Sequence, residues 1–463
     1  MENLKIKNKI AVIISLFVLV GCKTPQIATN ESKLQIPDSY NTNLDTTNTS
    51  KTPWRTFYKD KNLNELIDIA LSNNQELSIV LQEIEIAKND VRVRKGALLP
   101  MIGIGAETGV EKVGRYTSQG AGDATTEIMP GKEFPEPLND FKLAAYAHWE
   151  VDVWKKLRNS KKAAFTRYLA TVEGKNFVIT NLVAEIANSY YELLALDNQL
   201  DIVKRNIEIQ KNALEIVKVQ KEAARATELG VQKFQAEVLS SQNMEFQIMQ
   251  QITETENKIN FLLGRYPQPI KRDKQNFVNL IPERINTGIP SQLLENRPDV
   301  KQAELELQAA KLDVKVARAE FYPSLDITGA FGFQAFKASY LFKTPESVLY
   351  SLAAGLTAPL INRNAIKAEF KSANSRQIQA LYNYEKTLLN AYFEVSNHIS
   401  KIQNLEKNLD LQTKQVQALT NSISISNDLF KSARANYLEI LMVQRDALSA
   451  KLELIEEIGR AHV

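Results

Sequence analysis

One cysteine, Cys22, and three scattered histidines (His148, His398 and His462) are all that 463 residues supply of those types. No disulfide can form within the chain, and no Cys/His cluster can hold a structural metal. Glycine and proline are scarce too, at 17 and 15, so long Gly- or Pro-rich linkers are excluded. The formal charge is only +3, which argues against a dedicated nucleic-acid binder. No Gly-x4-Gly-Lys phosphate loop occurs, so the chain does not draw energy from a nucleotide. No triad or carboxylate pair stands out from the helical background, so no catalytic residue, cofactor or metal is assigned. His148, beside Trp149, reads as a strand residue near an interface.

What the chain has in quantity is periodicity. Apolar residues fall every seventh place at Leu381, Leu388, Val395, Ile402, Leu409, Val416, Ile423 and Phe430. That spacing is a narrow seam on one helix roughly 75 Å long, packed along a line and wet elsewhere. A second long helix begins near Lys155, with Ile186, Leu193, Leu200, Ile207 and Leu214 seven apart and Leu182, Leu196, Val203 and Val217 interleaved. Its pattern fades near Lys221–Gly230, resumes from Phe234, and stops at Leu262-Leu263-Gly264 with Pro267 behind. Shorter helices are expected over Leu63–Leu71, from Leu77, from Pro298 to Glu320, and from Leu438. Between the helices the period changes to two. Ile102, Ile104 and Ala106 alternate, as do Phe141, Leu143, Ala145, Ala147, Trp149, Val151 and Val153. Leu325 to Phe333 and a run near Leu349–Leu360 complete four expected strands.

The N-terminus reads as an export signal. Lys5, Lys7 and Lys9 precede an apolar run, Ile10 to Val20, too short to span a bilayer. Leu19-Val20-Gly21-Cys22 resembles the bacterial lipobox, so Cys22 is expected to be cut to the front and lipidated. Residues 22–53, rich in Thr, Asn and Ser, read as a tether. At the other end Ile458 to Val463 drops the helical pattern. It is expected to be a truncated frame, of the kind a translated sequencing adapter produces.

The chain contains two copies of one unit. A shift of 323 − 100 = 223 sets Lys88, Asp90, Val91, Val93 and Pro100 on Lys311, Asp313, Val314, Val316 and Pro323. Farther on, 392 − 190 = 202 pairs Tyr190 with Tyr392, and 433 − 226 = 207 pairs the second turns. The expected division is a signal (1–21), tether (22–53), short helices (54–100), hairpin (101–154), long helical pair (155–264) and connector (265–290). The second copy follows as helix (291–322), hairpin (323–360) and long helical pair (361–463). Two strands per copy make four per chain, too few to close around a pore, and a bilayer does not tolerate bare sheet edges. Closure needs several chains; three give twelve strands.

Several stretches carry a specific resemblance. They are Trp54 with Phe57, Leu98-Leu99-Pro100, Phe321-Tyr322-Pro323, Trp149 to Trp154, Asn181 to Ile186 with Tyr190-Tyr191, Leu262-Leu263-Gly264, and Leu294-Glu295-Asn296-Arg297-Pro298-Asp299-Val300. In these the chain resembles the TolC-like outer-membrane efflux proteins, in the lipoprotein branch of the NodT and OprM type. The resemblance implies a mainly α fold with a transmembrane β-barrel: a homotrimer with a twelve-stranded barrel and a twelve-helix periplasmic tunnel. It implies an exit duct whose partners are outer-membrane lipid, a periplasmic adaptor and an inner-membrane pump of the RND type. It places adaptor contacts at the tips Thr227, Glu228, Leu229, Gly230, Arg434, Asn436, Tyr437 and Leu438. It sets Glu439 in an acidic entrance ring, with Met442 where a second ring would stand. Pro100, Trp154 and Pro323 mark helix-to-strand junctions, with Lys155 where the family usually has glycine. Aromatic residues Trp149, Trp154, Phe321 and Tyr322 fit either an interfacial girdle or ordinary junction packing. The rival reading is a lipid-anchored periplasmic coiled-coil scaffold without a pore, against which the alternating strands speak.

Overall fold

The computed structural model describes residues 27, 32, 34–40, 47, 52–274, 277, 288–359, 361, 363–432 and 434–461. Cys22 and the expected signal segment lie outside the described residues. The helices are α1 (Trp54–Phe57), α2 (Lys61–Asn73), α3 (Gln75–Gly96), α4 (Ser118–Asp123), α5 (Lys156–Glu222), α6 (Glu228–Leu262), α7 (Leu293–Asn296), α8 (Pro298–Ala319), α9 (Asn364–Lys431) and α10 (Tyr437–Ala461). The strands are β1 (Met101–Glu111), β2 (Glu127–Met129), β3 (Lys132–Glu133), β4 (Leu138–Val151), β5 (Ser324–Ala335) and β6 (Val348–Thr357). The chain divides into two compact units, 1–32 with 84–170 and 303–384, and 33–83 with 171–302 and 385–463.

The first unit holds a four-stranded antiparallel sheet in the order β1-β4-β5-β6. Its strands have 11, 14, 12 and 10 residues, about the number a tilted strand needs to cross a bilayer. Cross-strand pairing puts whole rows on one face. Ile104, Ala145, Phe331 and Tyr350 form one row, and Ile102, Ala147, Gly329 and Leu352 the next. No charged residue falls on that face. The opposite face carries small and polar residues, as in the row Gly103, Tyr146, Ala330 and Ser351. Gly332 is required there, because a Cβ would run into the backbone of Leu143 and Ala144. Beneath the sheet, Val314, Ala317, Phe321, Phe370 and Ala373 form a small core.

The second unit is helical. Its main core gathers Leu63 and Ile67 of α2, Ile186, Tyr190, Leu193 and Leu194 of α5, and Ile259 and Leu263 at the end of α6. Asp60 caps α2, accepting from the backbone N–H of Asn62 at 2.8 Å and Leu63 at 3.3 Å. The Tyr190 hydroxyl donates to the same carboxylate at 2.8 Å. Burial and that carboxylate push the Tyr190 hydroxyl well above the usual phenol range. α6 ends as expected at Gly264, with φ +65°. The Gly264 N–H bonds Phe261 O at 3.0 Å and the Arg265 N–H bonds Asn260 O at 3.1 Å, the paired bonds of a Schellman turn. From the connector, Arg272 reaches back to Asp197 on α5 and Glu256 on α6, and Lys274 adds a bond to Asp197 at 2.8 Å.

Several expectations shift. β4 ends at Val151 rather than Val153, because the Asp152 carboxylate turns to accept from the N–H of Leu157 and Arg158 at 2.9 and 3.0 Å. β6 ends at Thr357 rather than Leu360. The helical pattern does not break at Ile458: α10 runs to Ala461, with Ile458 in the core. Gly459 is accommodated there because a Cβ would meet that of Ala195 at 3.0 Å. The duplication offset of 223 at the strand starts holds, since 324 − 101 = 223. Along the long helices it does not fall to 202: starts differ by 364 − 156 = 208 and ends by 431 − 222 = 209. Tyr190 and Tyr392 are therefore not equivalents. One is a core residue and the other stacks on Tyr40 at 5.4 Å.

Candidate functional site

Three places carry the features that matter: the strand–helix junction, the polar sheet face and the helical tips.

At the junction, Trp154 and Pro323 are brought together. The indole N–H of Trp154 donates to Pro323 O at 2.8 Å, and its ring stacks on Tyr322 at 4.7 Å. Trp149 donates to Leu98 O at 3.1 Å, two residues before Pro100. Phe321 is buried against Phe370, so for that residue packing, and not a lipid girdle, is the outcome. Lys155 adopts φ +60°, the left-handed region that favours glycine. The bend is thus kept despite the lysine. Asp152 holds it: burial raises its pKa, but Arg158 and two backbone N–H groups outweigh that and hold the carboxyl below its usual range.

The polar sheet face carries Glu107, Glu111, Asp140, Lys142, His148, Glu150 and Asp326. The Lys142 ammonium lies 3.8 Å from Glu107, Gln334 donates to Asp140 at 2.9 Å, and His148 stands 3.9 Å from Asp326. All the charge of the sheet is on this side.

The tips lie in the second unit. α5 ends in a Schellman turn with Ala224, φ +55°, in the position usual for glycine; Arg225 N–H bonds Gln220 O at 2.7 Å. Thr227 then caps α6 through the Gly230 N–H at 3.2 Å. Asn436 caps α10 through the N–H groups of Leu438 and Glu439 at 2.9 and 3.1 Å. The two caps are 436 − 227 = 209 apart, so the tips align by 209 and not 207. Glu439 is exposed, accepts from the Asn436 amide at 3.0 Å, and sits in the first turn of α10, where negative charge is favoured. Met442, one turn on, is also exposed. Leu229 and Leu438 expose their side chains at the ends of the two hairpins. Tyr437 packs over Gly230, joining the tips, and Arg434 is exposed beside them.

Two features escaped the sequence reading. Arg297 binds Asp299 at 2.8 Å and Glu394 of α9 at 2.9 Å, so the Arg-Pro-Asp motif serves as a brace. Gln210 is buried, with neither amide atom hydrogen-bonded among the described residues. Among the described residues, no helix is long and apolar enough to cross a membrane, and no group of His, Cys, Asp or Glu is placed to hold a metal ion.

A charge-free apolar sheet face backed by a charged one defines a class: the wall of a membrane channel. The sequence profile of the outer membrane efflux protein family matches residues 66–265 and 289–460, and the chain belongs to that family. It is similar to the pyoverdine export outer membrane protein OpmQ of Pseudomonas aeruginosa, 27% identical over 86% of this chain and 82% of that one. It is similar to the cation efflux system protein CusC of Escherichia coli K12, 25% identical over 87% and 84%. The probable outer membrane lipoprotein SilC of Salmonella typhimurium is 23% identical over 97% and 95%. A crystal structure of CusC matches with a TM-score of 0.82 at 22% identity, covering 95% of this chain and 96% of that one. The open state of the Neisseria gonorrhoeae MtrE outer membrane channel matches with 0.80 at 22%, covering 95% of each. The protein is thus an outer membrane efflux channel, a transport protein and not an enzyme.

Proposed function

We propose that this chain is the passive exit duct of a tripartite efflux system, a homotrimer fed by a periplasmic adaptor and an inner-membrane pump of the RND type. The observation that carries the reading is the two-faced sheet with unpaired edges at β1 and β6. A lipid-exposed sheet must close so that every backbone group is paired. Three copies supply twelve strands and a water-wide lumen lined by the charged face. The helices also call for neighbours. Ile209 and Ile216 of α5, and Leu239 and Phe246 of α6, are exposed at seven-residue spacing, a seam waiting for a neighbouring helix. So does the heptad seam of α9, buried at Leu381 and Leu388 but exposed at Ile402.

In this reading Thr227, Glu228, Leu229, Gly230, Arg434, Asn436, Tyr437 and Leu438 meet the adaptor, with exposed Leu229 and Leu438 as its apolar contacts. Glu439 forms a three-fold acidic ring at the entrance that favours cations. Cys22 carries the lipid that ties the tether to the outer membrane.

Unboiled gel electrophoresis and planar-bilayer recording test the core of this. A heat-resistant trimer with stable ion conductance is expected. A non-conducting monomer or coiled coil would establish the pore-free scaffold instead. Glu439→Gln is expected to lower cation selectivity; unchanged selectivity removes the ring.

A further inference from the structure

The loop between β5 and β6 gathers aromatic rings and cations at the end of the sheet opposite the Pro100, Trp154 and Pro323 junctions. Lys337 Nζ lies 5.6 Å and Lys343 Nζ 4.6 Å from the ring centre of Tyr340. Phe336 meets that ring edge-on at 5.6 Å and holds it in place. Phe342, exposed, packs edge-on against Phe333 at 5.5 Å. Phe333 belongs to the charge-free face, in the row of Leu143 and Val348. The loop therefore folds toward the apolar side of the sheet and away from the charged one.

Below it on that face stand Phe331 and Tyr350, cross-strand partners and both exposed. Aromatic rings at the rim of an apolar band sit where hydrocarbon gives way to headgroups. Two lysines just past such a rim lie at headgroup level, their apolar stems along the rings and their ammonium groups in the polar layer. Both ammonium groups stand at the same ring, so one anionic headgroup can approach them together. The loop's own acidic residue, Glu346, is exposed and one against two.

We propose that Lys337, Lys343 and Tyr340 form a binding site for the phosphate of an anionic lipid headgroup at the outer rim of the sheet. The assignment rests on the membrane-channel reading of the sheet. Lysine suits this as a compact point charge that tolerates several phosphate geometries. The acyl chains of the same lipid would lie on Phe331, Phe342 and Tyr350, so headgroup and chains are recognised together.

The test titrates the full-length protein in neutral detergent with fluorescent lipid A, with phosphatidylglycerol, and with phosphatidylcholine. The Lys337→Gln/Lys343→Gln double variant is compared. Each lysine near an anionic headgroup contributes about fivefold, so the double variant is expected to bind lipid A and phosphatidylglycerol roughly 10- to 30-fold more weakly. Phosphatidylcholine binding stays unchanged, and millimolar inorganic phosphate does not displace the lipid. Equal binding by the variant, or full displacement by inorganic phosphate, overturns the site. Conductance of the same preparations separates the two readings. A conducting variant with wild-type lipid affinity refutes only the lipid site, whereas a non-conducting wild type refutes the channel.

Discussion

The ring of Tyr437 covers the Cα of Gly230: a Cβ at that position would stand 3.4 Å from three ring atoms. The Tyr437 hydroxyl also lies 3.5 Å from Thr227 Oγ1. One side chain of the second tip thus closes over the first turn of α6, above a cluster of Leu214, Val217, Val231, Phe234 and Val238. Tyr437→Ala is expected to cost roughly 2 kcal/mol, for a large, partly buried ring. Gly230→Val displaces the ring and reproduces much of that loss, so the double variant is markedly non-additive. Both single variants are expected to raise channel open probability in planar bilayers. Additive effects with unaltered gating would show that the ring does not couple the tips.

Asp197 is buried and binds both Arg272 and Lys274. Asp197→Ala leaves the Arg272 guanidinium, itself nearly buried, with only Glu256 as an ionic partner besides its bond to Ile270 O among the described residues. Breaking a buried pair from one side costs on the order of 3–5 kcal/mol. Chemical denaturation followed by circular dichroism is expected to show that loss. Asp197→Leu with Arg272→Met is expected to recover part of it, since the buried guanidinium is removed as well and the charges left over, Glu256 and Lys274, are the more exposed ones.

Lys155 stores backbone strain at φ +60°. A left-handed conformation costs a non-glycine residue roughly 1–2 kcal/mol. Lys155→Gly is therefore expected to raise stability by about 0.5–1 kcal/mol, after the entropy of a freer unfolded chain is subtracted. A lower Tm in this variant would count against the strain.

The same bend has a pH signature. Asp152 has its carboxyl held below the ordinary value, and its bonds to Arg158 and two N–H groups favour the charged form. A depressed folded pKa gives stability that is complete above the unfolded carboxylate pKa, near 4. It is lost as pH falls through the folded value. Thermal melts between pH 7 and pH 3 are expected to drop less steeply in Asp152→Asn than in the wild type. A parallel fall in both would place the acid sensitivity elsewhere.

Strands and long helices were legible because their periods differ, two against seven. Phe141 to Val151 could be read as a strand from alternation alone, and Leu262-Leu263-Gly264 as a stop from its glycine. The end of that strand was not legible, because Val153 keeps the alternation while Asp152 has already turned to cap α5. Gln210 was hidden for a related reason. It occupies the seventh place between Val203 and Val217, so it interrupts one of the two stripes on α5. There the apolar core divides into one cluster around Val203, Ile248 and Leu448 and another around Leu214 and Phe234. Heptad counting averaged the gap away. Partners such as Asp197 with Arg272, or Arg297 with Glu394, lie 75 and 97 positions apart. Charge says that such residues need partners but not which ones. The tip caps could have been found sooner: Thr227 and Asn436 are both residue types that begin helices, each just ahead of an apolar run.

The bare edges of β1 and β6 also fix how tolerant the channel is of a faulty copy. In the proposed trimer, a ring closed by three identical chains has three seams, each made by the edge of one chain and the opposite edge of the next. No seam is spare. A subunit with one spoiled edge would ruin every ring it enters, whatever the quality of its two companions. Produced in equal amounts with the intact chain, it would leave roughly one ring in eight entirely sound. The defect is therefore dominant, and an edge variant of this protein would act as an inhibitor of its own wild type.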